Sequence, residues 1–398
     1  MATLVLLLQR ALLWLSYRWH KLTLRKSRKR SLTWVVGTYE IASMINQIAR
    51  AVPGSYSVAL EEDPYYDGVL SYDYVITGAR GTRKRDWSRR ICAPILLGRL
   101  ANEAQGVIYL GAAGFLENAE DGRDYEFAWV KRHGLKVVCY WTGSDIRSLP
   151  RMKVLEAELD RPNIATYIHL TSPSLNTERS DNARRVLARA CDKWADATFS
   201  NSVDHLGYVT MPTEPFLYFL PDDRLGDLSQ FDDTSTPVLV HATTSPVIKG
   251  TQLVRAAIAK LRAEGRTFEY VELLGVGNDV VVRELRRAHI TLNQFYGFSP
   301  AVFGVEGLCA GTVVMMSADE TVETDLPAGS NDAWVVTQHF QVYDNLKELL
   351  DAPHTWRGIA ERGLEWASEY GTARGAGQRL NAVLDAVVAG TYNPKGEQ

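Results

Sequence analysis

Two stretches in the second half of the chain join a charged side chain to small and hydroxyl residues. The first is HATTSPVIKGT, residues 241–251. A strand pattern ends at His241, a loop follows, and Lys249-Gly250 opens a helical pattern. Such a loop offers backbone N–H groups, the Thr244 hydroxyl and the Lys249 ammonium to a phosphate, and a helix N-terminus adds its positive end. The blander reading is a solvated lysine. A cation is mildly unfavourable at a helix start, and that placement itself hints at an expected anion. The second stretch is QFYGFSPAVFGVEGLCAGTVVMMS, residues 294–317. A turn with Gly297, Ser299 and Pro300 leads into a helix containing Glu306. The helix's first turn, with Phe303 in it, presents unpaired amides. Glu306 stands close by and could accept hydrogen bonds from a ribose. It could also be an ordinary exposed carboxylate, but Val305 and Leu308-Cys309-Ala310 make its surroundings apolar.

Two stretches in the first half are weaker. In VCYWTGSDIRS, residues 138–148, an apolar strand ends in hydroxyls and a carboxylate. Thr142 and Asp145 then sit where a substrate meets an α/β domain; equally, Asp145 caps the following turn. In WVVGTYEIA, residues 34–42, Gly37 at the first strand-to-helix turn would let a ligand approach the backbone. No GxGxxG is present, which argues against a dinucleotide dehydrogenase.

The elements that must position these residues alternate between strand and helix. Strand patterns fall at 32–37, 57–60, 72–77, 106–111, 135–143 and 197–202, with helical patterns near 38–52, 91–105, 121–133 and 180–195. The Arg/Lys-rich residues 79–90 read as an exposed loop. Residues 212–237, rich in proline and aspartate, read as a linker. A second series follows: strands at 237–242, 268–276, 289–295, 312–317 and 333–337, with helices at 249–265, 278–288, from about 302, and over much of 340–390. Such alternation predicts parallel sheets with crossover helices. Open sheets of this kind bind ligands at the carboxyl ends of their strands, so two facing sheets define a cleft.

Length and composition agree. A chain of 398 residues exceeds what one core usually supports. Cys92, Cys139, Cys191 and Cys309 lie far apart and form no CxxC pair, which supports neither a zinc knuckle nor a disulfide framework and fits a reducing cytosol. Residues 1–30 carry eight basic and no acidic residues, leaving a net charge of −11 on the remainder. An acidic body argues against nucleic acid as a partner. The run 2–17 is apolar but broken by Gln9 and Arg10, and short for a spanning helix. Wound as a helix, it sets Gln9, Arg10, Ser16, His20 and Lys21 on one side and the leucines and Trp14 on the rest. With basic residues following it, the run is laid out to lie in a membrane interface. Packing on the protein's own surface is the alternative.

In this order the four motifs resemble the retaining glycosyltransferases of family four, of GT-B fold. The likeness is to the branch acting on bacterial capsular and cell-surface polysaccharides. It rests on HATTSPVIKGT, AHITLNQ and GFSPAVFGVEGLCAGTVV, and more loosely on VVGTYEIA and TGSDIR. The resemblance implies an α/β fold of two facing Rossmann-like domains with parallel sheets. They would be an acceptor domain at 31–225, joined by a C-terminal helix at about 372–392, and a nucleotide-sugar domain at 235–370. Residues 1–30 would form the membrane-associating helix.

It further implies that Lys249 neutralises a donor diphosphate and Glu306 holds the ribose. Ser299 to Phe303 would bring amides to the distal phosphate, and Val276 and Gly277 would meet the base. Gly37 would face the donor phosphates or the acceptor. The nucleotide-diphospho-sugar is a substrate, and neither cofactor nor metal is implied. The activity implied is sugar transfer, with retention, to a cell-surface glycan or lipid-linked acceptor, by a cytoplasmic protein peripheral on the inner face of the membrane. Three positions depart from the pattern. The family's phosphate-binding Arg falls on Pro246, the earlier Glu of its paired motif on Phe298, and its His before Gly-Ser-Asp on Thr142. Arg147, or Arg83 and Arg85, are the candidates to replace the lost charge. The rival readings are an inactive relative serving as a glycan- or nucleotide-sugar-binding subunit, favoured by Pro246 and Thr142, and a nucleotide-sugar epimerase of similar architecture.

Overall fold

A computed structural model describes residues 2–23, 33–66, 70–76, 83–117 and 120–394; the side chains of residues 2–3 and 83–86 lie outside it. Seven strands make the first sheet: β1 Trp34–Thr38, β2 Tyr56–Ala59, β3 Tyr74–Val75, β4 Gly106–Leu110, β5 Lys136–Tyr140, β6 Ala197–Ser200 and β7 Glu214–Pro215. Their order is β3-β2-β1-β4-β5-β6-β7, and every pairing is parallel. The second sheet holds β8 Val238–Thr243, β9 Glu269–Leu274, β10 Ile290–Leu292, β11 Val313–Met316 and β12 Val335–Val336, ordered β12-β11-β10-β8-β9 and again parallel.

The strand sequences explain the layers. β1, β4 and β5 are continuous apolar runs because helices cover both faces. Side chains alternate along each strand. Val35, Val107, Val137 and Cys139 enter one core cluster, while Val36, Ile108, Val138 and Tyr140 enter the other. The last helix, Ala373–Ala389, returns to the first sheet and packs Ala376, Leu380, Leu384 and Val387 beside Ile45 and Ile48.

Three local expectations are corrected. The basic stretch 79–90 is not a loop throughout: a helix runs Arg83–Leu100. Its spacing of Ala93, Leu97 and Leu100 buries one face, and Arg90 on the same helix pairs with Glu117. The expected helix after β1 begins late, at Met44–Ala51, because Ala42 and Ser43 take left-handed conformations with φ of 53° and 64°. Residues 39–43 are thereby released to form a loop. Lys249 does not open the long helix. It closes a single turn, Pro246–Lys249, and the long helix follows at Thr251–Ala263.

The N-terminal helix, Ala2–Thr23, packs with the middle of its polar side inward and leaves Lys21 exposed. Gln9 and Ser16 are buried beside Leu13 and Tyr17. Gln9 Oε1 accepts from the Glu117 amide at 3.0 Å, and Ser16 Oγ donates to the Ile95 carbonyl at 2.7 Å. Outward stand Leu4, Leu7, Trp14, Leu15, Trp19 and Leu22, between 51% and 84% exposed. No helix among the described residues is long and apolar enough to cross a membrane. The basic residues 25–30 lie outside the described residues.

Candidate functional site

The carboxyl ends of the two sheets face one cleft with two connected lobes. The first lobe, ≈ 510 Å³, is lined by the loop after β1 (Tyr39, Glu40) and by Tyr66, Val276, Asn278 and Glu306. The second, ≈ 600 Å³, is lined by Thr142, Arg147, His205 and Gln294 among others. Ile41, Thr244, Lys249, Ala301 and Val302 border both. Lys249 and Glu306, about sixty residues apart in the sequence, thus share one cavity.

Glu306 lies in the second turn of the helix Ala301–Cys309. Its Oε1 accepts from Asn278 Nδ2 at 2.6 Å, and Asn278 Oδ1 accepts from Arg224 Nη2 at 3.2 Å. Burial pushes the carboxyl up to about 6, against the opposing pull of Asn278 and Arg224. A carboxylate held this way keeps lone pairs for ligand hydroxyls. The Lys249 ammonium donates to Gln294 Oε1. Gln294 Nε2 in turn donates to the Ser299 carbonyl at 2.7 Å, which joins the lysine to the turn before Glu306. Burial, with Arg147 nearby, pulls Lys249 down to about 8 although Asp204 opposes it.

His241 pins this loop. The ring makes hydrogen bonds to the Leu292 carbonyl at 2.7 Å and Thr251 Oγ1 at 2.8 Å. Burial pushes its pKa down, so it acts as a neutral strut.

The amides of the turn before Glu306 divide in two. Those of Phe298 and Ser299 donate to Asp204 at 2.8 and 2.7 Å, the Ser299 hydroxyl donates to the same carboxylate, and the Ala301 amide donates to Tyr218 Oη. The amides of Val302 and Phe303 carry no hydrogen bond within the described residues. The anion-binding capacity expected of Ser299 to Phe303 therefore rests at its far end. Val276 lines the first lobe, whereas Gly277 does not; its neighbours Gly275 and Asn278 do.

The remaining expectations fare differently. Gly37 lies inside β1 and lines neither lobe. A Cβ there would come 2.5 Å from the Val58 carbonyl oxygen, so the glycine serves strand packing. Asp145 also lines neither lobe. Its carboxylate accepts from the Thr142 amide, Thr142 Oγ1 and the Ile146 amide, which makes it a turn cap. Thr142 reaches the second lobe with its hydroxyl committed to Asp145. The side chains of Arg83 and Arg85 lie outside the described residues; Arg147 lies in the second lobe. Sequence reasoning missed Asn278, Arg224, Asp204, His205 and Glu40. Only the Gly-Asn pair at a strand-to-helix turn could have signalled one of them, Asn278.

The paired parallel sheets around one cleft, closed by a returning C-terminal helix, are the GT-B fold. Three solved structures share it across nearly the whole chain. Sucrose-phosphate synthase from Thermosynechococcus elongatus is 11% identical, with 91% of this chain and 100% of that one covered at a TM-score of 0.59. WaaG, a glycosyltransferase involved in lipopolysaccharide biosynthesis, is 12% identical, with 89% and 99% covered at 0.55. A glycosyltransferase from Rickettsia africae is 8% identical, with 91% and 99% covered at 0.53. No family model and no curated protein sequence matches the chain. At these identities the likeness is one of fold.

Proposed function

We propose that the protein is a glycosyltransferase that moves a sugar from a nucleotide-diphospho-sugar to a glycan or lipid-linked acceptor. One observation carries this reading: Glu306, braced by Asn278, shares a cavity with Lys249 and with the free amides of Val302 and Phe303. A carboxylate suits ribose hydroxyls, and an ammonium with two amides suits a diphosphate. Fixed positive groups there also stabilise the departing nucleoside diphosphate, on which charge grows in the transition state. Val276 and Gly275 would meet the base. Retention of configuration is the part of the proposal carried by the resemblance to retaining enzymes.

The outward apolar face of the helix Ala2–Thr23, followed by the basic run at 25–30, supports a peripheral seat on an anionic membrane surface. Burying the polar stripe and exposing the apolar one is costly in water and favourable at a bilayer.

A thermal-shift panel of sugar nucleotides tests the donor site. At a hundredfold excess over Kd a ligand adds about 2.7 kcal/mol of stability. Lys249→Ala should weaken the responding nucleotide roughly 10- to 100-fold, as expected for a charge-assisted hydrogen bond. Equal affinity in wild type and variant would sink the assignment.

A further inference from the structure

Arg147 is the unspent charge of the second lobe. Only 8% of the residue is exposed. Its Nε donates to the Asp204 carbonyl at 2.5 Å, and no hydrogen bond or ion pair of its terminal nitrogens occurs among the described residues. Gly143 makes room for it: a Cβ there would lie 2.8 Å from Nη2. The guanidinium lines the same lobe as Lys249, which comes from the other half of the chain.

The carboxylates around the pair already have other partners. Arg147 faces Asp204, Asp145 and Arg184, and Lys249 faces Asp204 and Arg147. Asp204 is bonded to the amides of Phe298 and Ser299, and Asp145 to its own turn. His205, beside Arg147, is held neutral by burial and by that same cation. Arg184 faces Asp181 in turn, so Arg147 and Lys249 are left with two carboxylates whose oxygens are already bonded to backbone amides. Buried like charges with unfilled donors are costly unless an anion joins them. A guanidinium fork with an ammonium matches the oxygens of a phosphate.

We infer that Arg147 and Lys249 form a cross-cleft clamp on one phosphate-class anion, each half of the chain supplying one cation. The inference rests on the cleft being the sugar-nucleotide site and adds a second binding residue to it. The anion is either the donor's distal phosphate or a phosphate carried by the acceptor.

Calorimetry on the full chain tests the clamp with inorganic pyrophosphate and inorganic phosphate. The variants are Arg147→Gln, Lys249→Met and the double variant. Each single variant should bind the clamped anion, pyrophosphate or phosphate, at least tenfold more weakly. The double variant should lose less than the product of the two, because both cations hold one anion. If phosphate competes with pyrophosphate, the clamped group is the donor's. If phosphate still binds to pyrophosphate-saturated protein, and that binding needs Arg147, the group is the acceptor's. Wild-type affinity for both pyrophosphate and phosphate in a folded Arg147→Gln, with loss in Lys249→Met, overturns the clamp and leaves the nucleotide site standing; no loss in either variant overturns both. Should Arg147→Gln not fold, a wild-type crystal soaked in pyrophosphate decides. Density bonded to the Arg147 guanidinium supports the clamp, and pyrophosphate bound elsewhere, or none, overturns it.

Discussion

Replacing Glu323 with Gln should change how stability depends on pH. Glu323, fully buried in the loop after β11, reaches the turn that follows β6. Its carboxylate accepts from the Ser202 amide at 3.0 Å, Ser202 Oγ at 2.9 Å, the Val203 amide at 3.1 Å and the Asp204 amide at 2.8 Å. Burial and the neighbouring Asp204 raise it from 4.5 to about 7. Between those values the native carboxyl holds a proton that the unfolded chain releases. The stability this contributes is full below 4.5 and is lost as pH rises through 7. The span corresponds to about 3 kcal/mol. A glutamine has one acceptor oxygen and no titration, so it leaves one buried amide unpaired, at about 1–3 kcal/mol. In urea unfolding, the wild type's advantage over Glu323→Gln should shrink by about 2–3 kcal/mol between roughly pH 5 and pH 8. Other titrating groups cancel in that difference. Parallel profiles would refute the reasoning, because they would mean that Glu323 titrates alike in the folded and unfolded chains.

Nucleotide binding should peak between the limbs set by three groups of the cleft. Below about 6 Glu306 protonates and loses its capacity to accept from the ribose; above about 7 Glu40 ionises in the same lobe and repels the diphosphate, and Lys249 sheds its charge near 8. Glu306→Gln should flatten the acid limb and Glu40→Gln should move the alkaline limb upward; calorimetry across pH reads both, and an unchanged profile counts against the assignments. Gly37→Ala should destabilise the fold by about 1–3 kcal/mol through overpacking against the Val58 carbonyl, while nucleotide affinity in the surviving protein stays at the wild-type value; a selective loss of affinity would restore Gly37 to the site. Replacing Trp14, Trp19 and Leu22 together with Glu should abolish sedimentation with anionic vesicles without lowering the melting temperature. This is a cleaner test than deleting the helix, because Leu13 and Tyr17 belong to the core.

The periodic features were legible from the sequence. β1, β4 and β8 sit within two residues of their expected bounds and β5 within three, since continuous burial on both faces writes itself into composition. Glu306 and Lys249 were legible through local context, an acid in an apolar helix and a lysine at a loop. What stayed hidden depends on contacts across more than ninety positions. Nothing around Asp204 or Glu323 in the sequence shows that each carboxylate bonds to the other half's backbone. The same limit misplaced Gly37, whose reason is a carbonyl on the adjacent strand. It also made Asp145, a self-contained turn cap, look like a reactive group.

The two hidden carboxylates bear on how the cleft can work. Glu323 gives its oxygens to amides 202–204, and Asp204 returns the contact to amides 298 and 299. Glu40 does likewise within its own half, accepting from the amides of Ile41 and Ile45 at the start of the helix Met44–Ala51. Two helix starts that could bind phosphate are thus already occupied by carboxyl groups of the protein. A diphosphate must then rest on groups left free beside them: the amides of Val302 and Phe303, Lys249, and the fork of Arg147. Because Asp204 and Glu323 tie the halves together next to Arg147 and Lys249, separating the halves would pull the two cations apart. Binding the anion and holding the cleft closed are therefore coupled. Glu323→Gln and Asp204→Asn should each weaken pyrophosphate binding, even though neither carboxylate can touch an anion favourably.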